Sequence, residues 1–500
     1  MSSPSPRMPQ LVESLADVAA ADVAPRLAAA LGRADLVELR LDRLPAGVLR
    51  EVPQEVRPRV LATCRAAWEG GAWTGSEDAR RAALLEALDL GVGYVDVEFR
   101  SPFHTDVLSR DRARTVLSMH DFATTPGDLA ATMQAMADAR PAVVKVAVTA
   151  TRLADVLALR QAGRSIETQP RVLIAMGEAG VATRLMPGHF GSCWTYAGQG
   201  VAPGQVPADR LRDVYRLGAL SSGARVYGVA GRPIGHSLSP VLHNAALAAR
   251  GLDAIYVPFE AADIDDLLQA AEALDVLGLS VTAPFKHDAL ARAKDADAAT
   301  VQIGAANTLT RVADGWLATN TDVEGFLAPL RARRDIRNAR VAVLGAGGAA
   351  RAVVTGLSAH GAEVTVHARR PAQAAGLTPL GARAGTWPPP AGSWDVLVNT
   401  TPVGTAPEVD RSPLAPSDLG ESLDGVLVYD LVYNPAQTRL LADAAARGAG
   451  TLGGLEMLVA QAARQFEIWH GGPPPIDIMR AAVARHAAHL VPHAEAACQD

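Results

Sequence analysis

The sequence predicts an α/β protein whose N-terminal part is a (β/α)8 barrel and whose remainder forms two further α/β domains. A chain of 500 residues is too long for one hydrophobic core, so two or three domains are expected. Over the first ~218 residues, short apolar segments recur roughly every 20 to 30 residues and are mostly followed by helix-like stretches. This alternation indicates parallel strands with helices outside, and eight such units close naturally into a barrel.

The predicted barrel strands are short runs rich in apolar and β-branched residues. They are Leu11–Leu15, Leu36–Leu39, Val60–Cys64, Tyr94–Val97, Thr115–Met119, Val143–Val148, Val172–Met176 and Ser192–Tyr196. Active sites of such barrels lie at the carboxyl ends of the strands. The residues at those ends are therefore the first candidates for chemistry.

A second strand–helix series begins at Val226, after the linker-like segment Leu220–Ala224. A third begins near Arg340, where an apolar strand leads into a glycine-rich loop and a helical run to about His360. Further strands are expected at 364–366, 396–399 and 426–431, and a long amphipathic helix at 456–469. The predicted boundaries are 1–218, a linker at 219–224, 225–335, 336–453, and C-terminal helices at 454–490 that return to the second domain.

The composition excludes several classes of function. A hydrophobic content of 49% and a charged content of 20% are typical of a soluble globular chain. The net charge of −6 offers no footprint for nucleic acid or a membrane surface, and no apolar run approaches the length of a membrane span. The first ten residues lack the apolar core of a signal peptide.

The cysteines and histidines indicate neither a disulfide framework nor a metal site. Cys64, Cys193 and Cys498 are odd in number and widely spaced, which is typical of reduced thiols. The 12 histidines show no metal-ligand spacing. We therefore expect a cytoplasmic protein that holds no metal and binds neither nucleic acid nor membranes.

Lysine occurs only at Lys145, Lys286 and Lys294, although Lys and Arg together number 47. Arginine keeps its proton in a protein, whereas a lysine amine can act as a nucleophile or an acid/base once its pKa is lowered. Lys145 and Lys286 lie in apolar, strand-like segments, which makes both functional candidates. Lys294 has the sequence surroundings of a solvated helix residue. A chance bias in composition is the competing explanation.

Polar residues gather where the predicted barrel strands end, although each alone is explained equally well by solvation. Together they supply one amine, one imidazole, two carboxylates and three guanidiniums, a set that suits an anionic, hydroxylated substrate with a ketone. A lysine can form an iminium with the ketone, a histidine can move protons, a carboxylate can orient the histidine, and arginines can hold a carboxylate. The residues are Glu38, Arg40, Arg65, Glu69, His120, Lys145, Arg184 and Gln205.

The first half of the chain resembles the type I 3-dehydroquinate dehydratases over roughly residues 10–215. The motifs are Val37–Asp42, Thr63–Arg65, Trp68–Gly71, Ser118–Phe122 and Ala202–Gln205. The resemblance implies a Schiff base on Lys145, general acid/base work by His120 and orientation of His120 by Glu69. It also implies that the hydroxyls and carboxylate of the substrate contact Glu38, Arg40, Arg65, Arg184 and Gln205. This chain has Val201 where the family usually has a substrate-contacting serine.

The loop Gly345-Ala346-Gly347-Gly348-Ala349 stands between a predicted strand and a predicted helix. Glycines in such a loop let a pyrophosphate approach the backbone at the helix N-terminus. Arg369 and Arg370 follow the next strand, where an acidic residue would favour NAD and an arginine matches the 2′-phosphate of NADP. The sequence therefore predicts a Rossmann-type NADP-binding domain, with ordinary surface charge as the alternative for the two arginines.

Other residues of the second half suggest an acidic, hydroxylated ligand and proton transfer. Ser237 and Ser239, at a strand-to-helix turn, offer donors for a carboxylate, although a helix N-cap is the simpler explanation. Lys286 ends a strand-like segment, and Asp322 ends the segment Thr319–Asp322. A Lys–Asp pair can pass a proton to or from a substrate hydroxyl while a hydride moves. A purely structural ion pair is the alternative.

These segments resemble the shikimate dehydrogenases over roughly residues 226–475. Supporting motifs are Asn399–Gly404, Tyr429–Pro435 and Gly453–Gln461. The resemblance implies a catalytic Lys286–Asp322 pair and a shikimate carboxylate held by Ser237 and Ser239. It makes residues 225–335 the substrate-binding part and 336–453 the NADP-binding domain. The remaining residues that it places in the site are Thr282, Asn307, Tyr433 and Gln461 around the substrate, and Thr400 and Gly454 around the cofactor.

Together the two resemblances predict a lyase fused to an oxidoreductase of the shikimate pathway. Dehydration of 3-dehydroquinate gives 3-dehydroshikimate, which NADPH then reduces to shikimate. The expected partners are these small molecules, and the chain is expected to be a monomer or a homodimer. Two alternatives remain open: a dehydrogenase whose barrel is an inactive scaffold, and a dehydrogenase that acts on quinate or prefers NAD.

Overall fold

The computed structural model describes residues 8–198 and 204–490. Internal contacts divide the chain into two compact units. Unit 1 contains the residues up to Ser237 together with Asp253–Val276, and unit 2 contains Leu238–Leu252 and the residues from Leu277 onward. This division differs from the predicted domain boundaries, which stay a prediction. Val201 lies outside the described residues.

Strands and helices alternate along the first part of unit 1. The strands are β1 (Gln10–Leu15), β2 (Leu36–Arg40), β3 (Val60–Thr63), β4 (Tyr94–Glu98), β5 (Thr115–Asp121), β6 (Val143–Thr149), β7 (Arg171–Met176) and β8 (Trp194–Ala197). The helices are α1 (Ala20–Arg33), α2 (Val48–Glu51), α3 (Glu77–Asp89), α4 (His104–Asp111), α5 (Leu129–Asp138), α6 (Leu153–Gly163) and α7 (Ala182–Leu185). Each predicted strand is confirmed, with ends that differ by no more than two residues.

The eight strands form one parallel sheet in the order β7-β6-β5-β4-β3-β2-β1-β8. Arg171 of β7 forms a parallel bridge with Ser192, two residues before β8, so the sheet is a nearly closed barrel. The predicted barrel fold is confirmed.

The interior of the barrel is layered because alternate residues of each strand point inward. A buried apolar layer, which we call the floor, consists of Val12, Leu36, Leu61, Val116, Val143, Val172 and Trp194. Two residues further along the strands the positions are largely polar: Ser14, Glu38, Thr63, Asp96, Ser118, Lys145 and Tyr196. The barrel therefore places its buried charges directly above a hydrophobic base.

Unit 1 also contains a strand–helix segment beyond the barrel. It consists of β9 (Arg225–Gly231), which pairs in parallel with β10 (Ala254–Glu260), and of the helix that follows β10. That helix, which we number α9 in chain order, spans Ile264–Ala273, and the side chain of Asp263 caps its N-terminus.

The N-terminal part of unit 2 combines helices with short, mostly antiparallel strands. β13 pairs with β11 and β14 in antiparallel fashion, and β12 pairs with β14 in parallel. The elements are α8 (Ser239–Ala249), β11 (Val276–Val281), α10 (Lys286–Arg292), β12 (Asp295–Ala296), α11 (Ala298–Ile303), β13 (Thr308–Val312), β14 (Gly315–Thr319) and α12 (Asp322–Arg331).

The C-terminal part of unit 2 holds a six-stranded parallel sheet in the order β17-β16-β15-β18-β19-β20, as expected for a Rossmann-type domain. Its elements are β15 (Arg340–Leu344), α13 (Gly348–Ala359), β16 (Glu363–His367), α14 (Pro371–Ala375), β17 (Arg383–Gly385), β18 (Val396–Asn399), β19 (Leu427–Asp430), α15 (Arg439–Ala445) and β20 (Gly450–Gly453).

Two C-terminal helices follow this sheet, α16 (Gly454–His470) and α17 (Ile476–Leu490). α16 confirms the long amphipathic helix predicted at 456–469. It packs against α12, and α17 packs against α8, two elements of the N-terminal part of unit 2. Within the ranges that the structure describes, no helix combines the length and apolar character needed to cross a bilayer.

Candidate active sites

A cavity opens at the carboxyl ends of the barrel strands, as the fold rule predicts. The predicted residues that line it are Glu38, Arg40, Arg65, Glu69, His120, Lys145, Arg184 and Gln205. Ser14, Phe122 and Tyr196 also line it, and the sequence analysis missed them. All predicted barrel site residues therefore meet in one place.

Lys145 is held in the cavity by a carboxylate that sequence reasoning did not identify. Its Nζ lies 3.0 Å from Asp96 Oδ2 and 3.7 Å from Glu38 Oε1, and it sits 4.3 Å from the centre of the Tyr196 ring. Burial by itself would lower the pKa of Lys145, but Asp96, Tyr196 and Glu38 together outweigh burial and the pKa is raised. Lys145 is therefore an ammonium ion that must lose a proton before it can act as a nucleophile.

Arg65 belongs to the same buried network, and its guanidinium is bound by other side chains of the barrel. Its guanidinium donates to Asp96 Oδ1 at 2.8 Å and to Ser118 Oγ at 2.8 Å, and it lies 3.1 Å from Glu98 Oε1. Glu98 in turn pairs with the fully buried Arg80 of α3. The alternating acids of the β4 segment Val95-Asp96-Val97-Glu98 were the sequence signal for this network, because both acidic side chains leave the strand on one face.

His120 and Glu69 form the predicted hydrogen-bonded pair. His120 Nδ1 lies 3.0 Å from Glu69 Oε2, and the backbone N–H of His120 donates to the same oxygen at 3.2 Å. Burial, with Arg65 and Lys145 nearby, lowers the pKa of His120 well below its usual value. Burial also raises the pKa of Glu69 to about 7. His120 is consequently a neutral imidazole with one ring nitrogen fixed and the other available to a substrate.

Strand register explains why His120 and Lys145 share the cavity. β5 and β6 pair so that Ser118 lies opposite Lys145, and His120 lies opposite Ala147. Both functional side chains therefore point into the barrel, one inward-facing position apart along the strands.

The other predicted substrate contacts are buried at the rim of the cavity. Glu38 accepts hydrogen bonds from Ser14 Oγ at 2.6 Å and Thr63 Oγ1 at 2.9 Å. Arg40 is held bidentately by Asp42, at 3.0 and 2.8 Å. Arg184, on α7, is almost fully buried, which lowers its pKa to about 10. A buried guanidinium at a cavity wall is well suited to an anionic ligand.

Lys286 and Asp322 form the second predicted catalytic pair. Lys286 Nζ lies 2.5 Å from Asp322 Oδ2, and Asn307 Nδ2 donates to Asp322 Oδ1 at 2.7 Å. Lys286 begins α10 and Asp322 begins α12, so two helix N-termini bring the charges together. The Lys286 side chain remains one-fifth exposed, which leaves its amine accessible.

A buried amide network connects this pair to α16. Gln461 Oε1 lies 3.5 Å from Asn307 Nδ2, and Asn307 Oδ1 accepts the backbone N–H of Thr321 at 2.8 Å. Gln465, which sequence reasoning missed, accepts from Ser280 Oγ at 2.7 Å and donates to Thr308 Oγ1 at 2.9 Å. The predicted residues Asn307 and Gln461 thus lie together with Lys286 and Asp322.

The remaining predicted ligands of the dehydrogenase-like half are placed as follows. Ser239 is buried in the first turn of α8, whose N-cap position is Leu238, so neither serine occupies the cap. Ser237 is half-buried in unit 1. Thr282 is half-buried between β11 and α10, and Tyr433 is half-buried after β19, where burial raises its pKa.

Lys294 is solvated, as the sequence predicted, but it lies in a bend between α10 and β12 and not in a helix. It forms an exposed ion pair with Asp314. The contrast with Lys145 and Lys286, which face buried or partly buried carboxylates, supports the choice of those two lysines as functional candidates.

The glycine-rich loop has the predicted place between β15 and α13. Gly345 has a φ of +99°, and a Cβ there would lie 2.8 Å from Thr400 Oγ1, so only glycine fits. A Cβ on Gly347 or Gly348 would meet nothing within 4 Å, which leaves open space above the start of α13. Ala346 and Ala349 flank these glycines in the loop and first turn. Such a cradle at a helix N-terminus fits a pyrophosphate.

The other predicted cofactor contacts surround the same sheet edge. Arg369 and Arg370 are exposed directly after β16. Thr400 follows β18, and its hydroxyl donates to the carbonyl of Leu344 at 2.7 Å. Gly454 begins α16, where a Cβ would lie 2.2 Å from the carbonyl oxygen of Leu431. Among the described residues, no group of three or more His, Cys, Asp or Glu side chains is arranged to hold a metal ion.

Comparisons with known proteins match both halves of the chain. The family model described as Type I 3-dehydroquinase matches residues 16–221. The model of the shikimate dehydrogenase substrate binding domain matches residues 229–309, and that of the shikimate 5′-dehydrogenase C-terminal domain matches residues 454–484. These ranges lie in the same order as the two predicted halves.

Individual relatives give the same result. The bifunctional 3-dehydroquinate dehydratase/shikimate dehydrogenase, chloroplastic, of Arabidopsis thaliana is 33% identical over 482 residues, which cover 89% of this chain and 79% of the relative. A shikimate dehydrogenase (NADP(+)) of Trichormus variabilis is 40% identical and covers 53% of this chain and 98% of its own length. A crystal structure of a shikimate dehydrogenase in complex with NADP+ is 30% identical, covers 54% of this chain and 97% of its own, and has a TM-score of 0.51. The chain therefore belongs to the family of bifunctional 3-dehydroquinate dehydratase/shikimate dehydrogenases, and it is an enzyme with a lyase half and an oxidoreductase half.

Proposed function

We propose that the barrel dehydrates 3-dehydroquinate through Lys145 and that the second half reduces the product with NADPH through Lys286 and Asp322. The observation that carries the proposal is the buried Lys145 in one cavity with the hydrogen-bonded His120–Glu69 pair. An amine, a neutral imidazole and an orienting carboxylate are the groups that imine-based elimination needs.

In the dehydratase step, Lys145 first loses a proton, because it is an ammonium ion beside Asp96. The amine then bonds to the ketone carbon, and the ketone oxygen leaves as water. The resulting iminium acidifies the neighbouring C–H, and His120 removes that proton and returns one to the departing hydroxyl. Hydrolysis of the iminium takes up water, restores the ketone of the product and frees Lys145.

The polar rim of the cavity holds the substrate in this proposal. The buried Arg184 suits the carboxylate, since a desolvated guanidinium binds such a group strongly. Glu38, Arg40 and Gln205 face the same cavity and suit the hydroxyls. Arg65 contributes chiefly by holding Asp96 and Glu98 in place, because its own donors are directed to them.

In the dehydrogenase step, Lys286 and Asp322 hydrogen-bond the reacting oxygen and move its proton. Asn307, which already binds Asp322, and Gln461 beside it suit the neighbouring hydroxyls. Ser237 and Ser239 supply hydroxyl donors for the carboxylate, and Thr282 and Tyr433 complete the predicted set.

We infer that the cofactor is NADP, which when bound supplies the hydride. Gly345, Gly347 and Gly348 form the open cradle for its pyrophosphate, and the exposed Arg369 and Arg370 are placed to pair with a 2′-phosphate. The NADP(+)-dependent relatives support this choice. Ala346, Ala349, Thr400 and Gly454 border the same region and belong to the proposed site.

We further propose that the enzyme works in the cytoplasm as a monomer or homodimer and binds neither nucleic acid nor membranes. The free thiols of Cys64 and Cys193 and the net charge of −6 support this. The Arabidopsis relative is chloroplastic, so fractionation of cells that express the protein is the test of the compartment.

One coupled assay tests the whole proposal. Purified enzyme is given 3-dehydroquinate and NADPH, and the absorbance of NADPH is followed. Consumption requires both halves; Lys145→Arg abolishes it but leaves reduction of added 3-dehydroshikimate intact, and Lys286→Arg abolishes both. Borohydride with 3-dehydroquinate should add mass to Lys145. If neither an adduct nor coupled activity is observed, the alternative of a dehydrogenase with an inactive barrel scaffold is favoured. If quinate is oxidised faster than shikimate, the alternative of a quinate dehydrogenase is favoured.

A further inference from the structure

The strand–helix segment β10–α9 packs against the barrel elements that stand behind the dehydratase site. It lies within the range matched by the shikimate dehydrogenase substrate binding domain, yet it belongs to unit 1. α9 packs against α6, the helix that follows the strand of Lys145. β10 packs against α7, which carries Arg184. Two barrel helices next to the dehydratase site, α6 and α7, therefore contact residues of the dehydrogenase half.

A single carboxylate joins the N-termini of α6 and α9. Asp266, in the first turn of α9, accepts the backbone N–H of Leu153 at 3.0 Å and of Ala154 at 2.9 Å. These are the first two residues of α6, whose amides have no acceptor within their own helix. Asp266 thus acts as an N-cap for a helix that lies 113 residues earlier in the chain.

The local chemistry keeps this carboxylate ionised although its side chain is completely buried. Burial would raise the pKa of Asp266, but the backbone donors of Ala262, Leu153 and Ala154 outweigh burial, and the pKa is lowered. Arg152 Nε, at 3.3 Å, adds a positive partner. A charged acceptor at a helix N-terminus also interacts favourably with the helix dipole.

A second clamp lies at the opposite end of the helix pair. Arg160, in the last turn of α6, donates to the carbonyl oxygen of Ala273, the last residue of α9. The N-terminus of α6 therefore contacts the N-terminus of α9, and the two C-termini are also in contact. The two helices run parallel and are hydrogen-bonded to each other at both ends. Both clamps bind backbone groups at helix ends, which makes them specific to this register.

We propose that β10–α9 of the dehydrogenase half is a structural part of the dehydratase barrel, and that Asp266 is the positioning residue that fixes it to α6. Loss of Asp266 then loosens the start of α6 behind the Lys145 strand without touching the substrate cavity. Because coupling is reciprocal, a ligand fixed in the barrel also steadies α9.

Amide hydrogen exchange on the full chain tests this inference. In Asp266→Ala, the amides of Leu153 and Ala154 should exchange roughly tenfold faster or more, as expected when a hydrogen bond to a charged group is lost. Asp266→Asn, which keeps one acceptor oxygen, should give an intermediate rate. Asp128→Asn is the matched control, since it removes one carboxylate charge at the exposed start of α5, where the side chain makes no cap hydrogen bond, and the α6 amides should keep their protection.

A second comparison changes the start of α9 but keeps the Asp266 carboxylate. Asp263→Ala removes the acceptor of the Asp266 backbone N–H, so the α6 amides should exchange more slowly than they do in Asp266→Ala. Equal α6 exchange in Asp266→Ala and Asp128→Asn would overturn the inference. So would loosening that extends equally to the distant helix α13, because the effect would then be global. If Asp266→Ala does not fold, Asp266→Asn decides the comparison.

The reciprocal arm rests on the proposed function. Trapping 3-dehydroquinate on Lys145 with borohydride should slow exchange in α9 of the parent protein and leave α9 unchanged in Asp266→Ala. Absence of the adduct would count against the proposed chemistry alone, because the exchange comparison without ligand needs no reaction. An adduct that forms but leaves α9 equally protected in both proteins would contradict the coupling.

Discussion

Asp96 Oδ2 lies 3.0 Å from Lys145 Nζ, and Oδ1 of the same carboxylate lies 2.8 Å from Arg65 Nη2. One buried carboxylate thus holds both a permanent cation and the reactive amine. Its pKa would be raised by burial, but Arg65 and then Lys145 outweigh burial and lower it. The charge that fixes the amine in position is also the charge that keeps it protonated.

Asp96→Asn should therefore make Lys145 easier to deprotonate. The rate of borohydride trapping with 3-dehydroquinate, measured against pH, should show its rise at lower pH than in the parent. The variant should also be less stable by about 3 to 5 kcal/mol, because a broken buried pair leaves unpaired charges. Asp106→Asn, which breaks an exposed pair with Arg81, is the control. An unchanged pH profile would contradict the assignment.

Glu69→Gln should change stability in a pH-dependent manner. The pKa of Glu69 is raised to about 7 in the folded protein, so folding opposes its ionisation. Its destabilising effect is absent at pH 4, grows as pH rises towards 7 and is constant above, at an order of 3 kcal/mol. The melting temperature of Glu69→Gln relative to the parent should thus be higher at pH 8 than at pH 5.

Activity of the same variant should fall, because a neutral amide holds the His120 Nδ1–H less strongly than a carboxylate does. The parent should itself lose dehydratase activity as pH falls below about 7 and Glu69 takes up a proton. Glu51→Gln, at an exposed position, serves as the control. The same relative melting temperature at both pH values would refute the raised pKa.

The loop glycines predict two different outcomes for one kind of substitution. Gly345→Ala should destabilise the NADP-binding domain by about 1 to 3 kcal/mol, since its φ is +99° and Thr400 and Thr401 crowd the new methyl. Gly347→Ala should fold normally, because a Cβ there meets nothing. It should nevertheless weaken NADP binding, measured by calorimetry, because the methyl enters the cradle. Parent-like affinity in Gly347→Ala would place the pyrophosphate elsewhere.

Arg369→Ser combined with Arg370→Ser should reduce the preference for NADP over NAD. Loss of charge-assisted hydrogen bonds of about 1.5 to 3 kcal/mol corresponds to roughly 10- to 150-fold in the ratio of kcat/KM values. Activity with NAD should change little. Arg383→Ser, on the neighbouring strand β17, is the matched control. A ratio that stays the same would make the two arginines ordinary surface charges.

Sequence reasoning predicted that Lys145, His120 and Glu69 lie together, and the structure has all three in one cavity. The prediction was possible because barrel sites collect at one end of the strands and because the motifs resembled a known family. It missed Asp96, whose partners are Lys145 of β6 and Arg65, two residues after the end of β3. The raised pKa of Lys145 has the same origin, because groups from other strands, Asp96 first, offset its burial.

Contacts between segments that are far apart in the chain could not be predicted from the sequence. Asp266 has the pattern of an ordinary acid in the first turn of a helix, and nothing in its neighbourhood indicates that it caps a helix of the barrel. The role of Gln465 could not be read from the sequence either. Its side chain donates to the carbonyl oxygen of Asn307, which lies 158 residues earlier in the chain.

The hydrophobic floor of the barrel limits the routes by which molecules can reach and leave the cavity. Val12, Leu36, Leu61, Val116, Val143, Val172 and Trp194 close the end of the strands opposite to the charged residues. Polar molecules find no passage through such a plug, so a reactant must enter, and the shed water and product must depart, by the same mouth. The product of each turnover must therefore leave through this opening before the next reactant can enter.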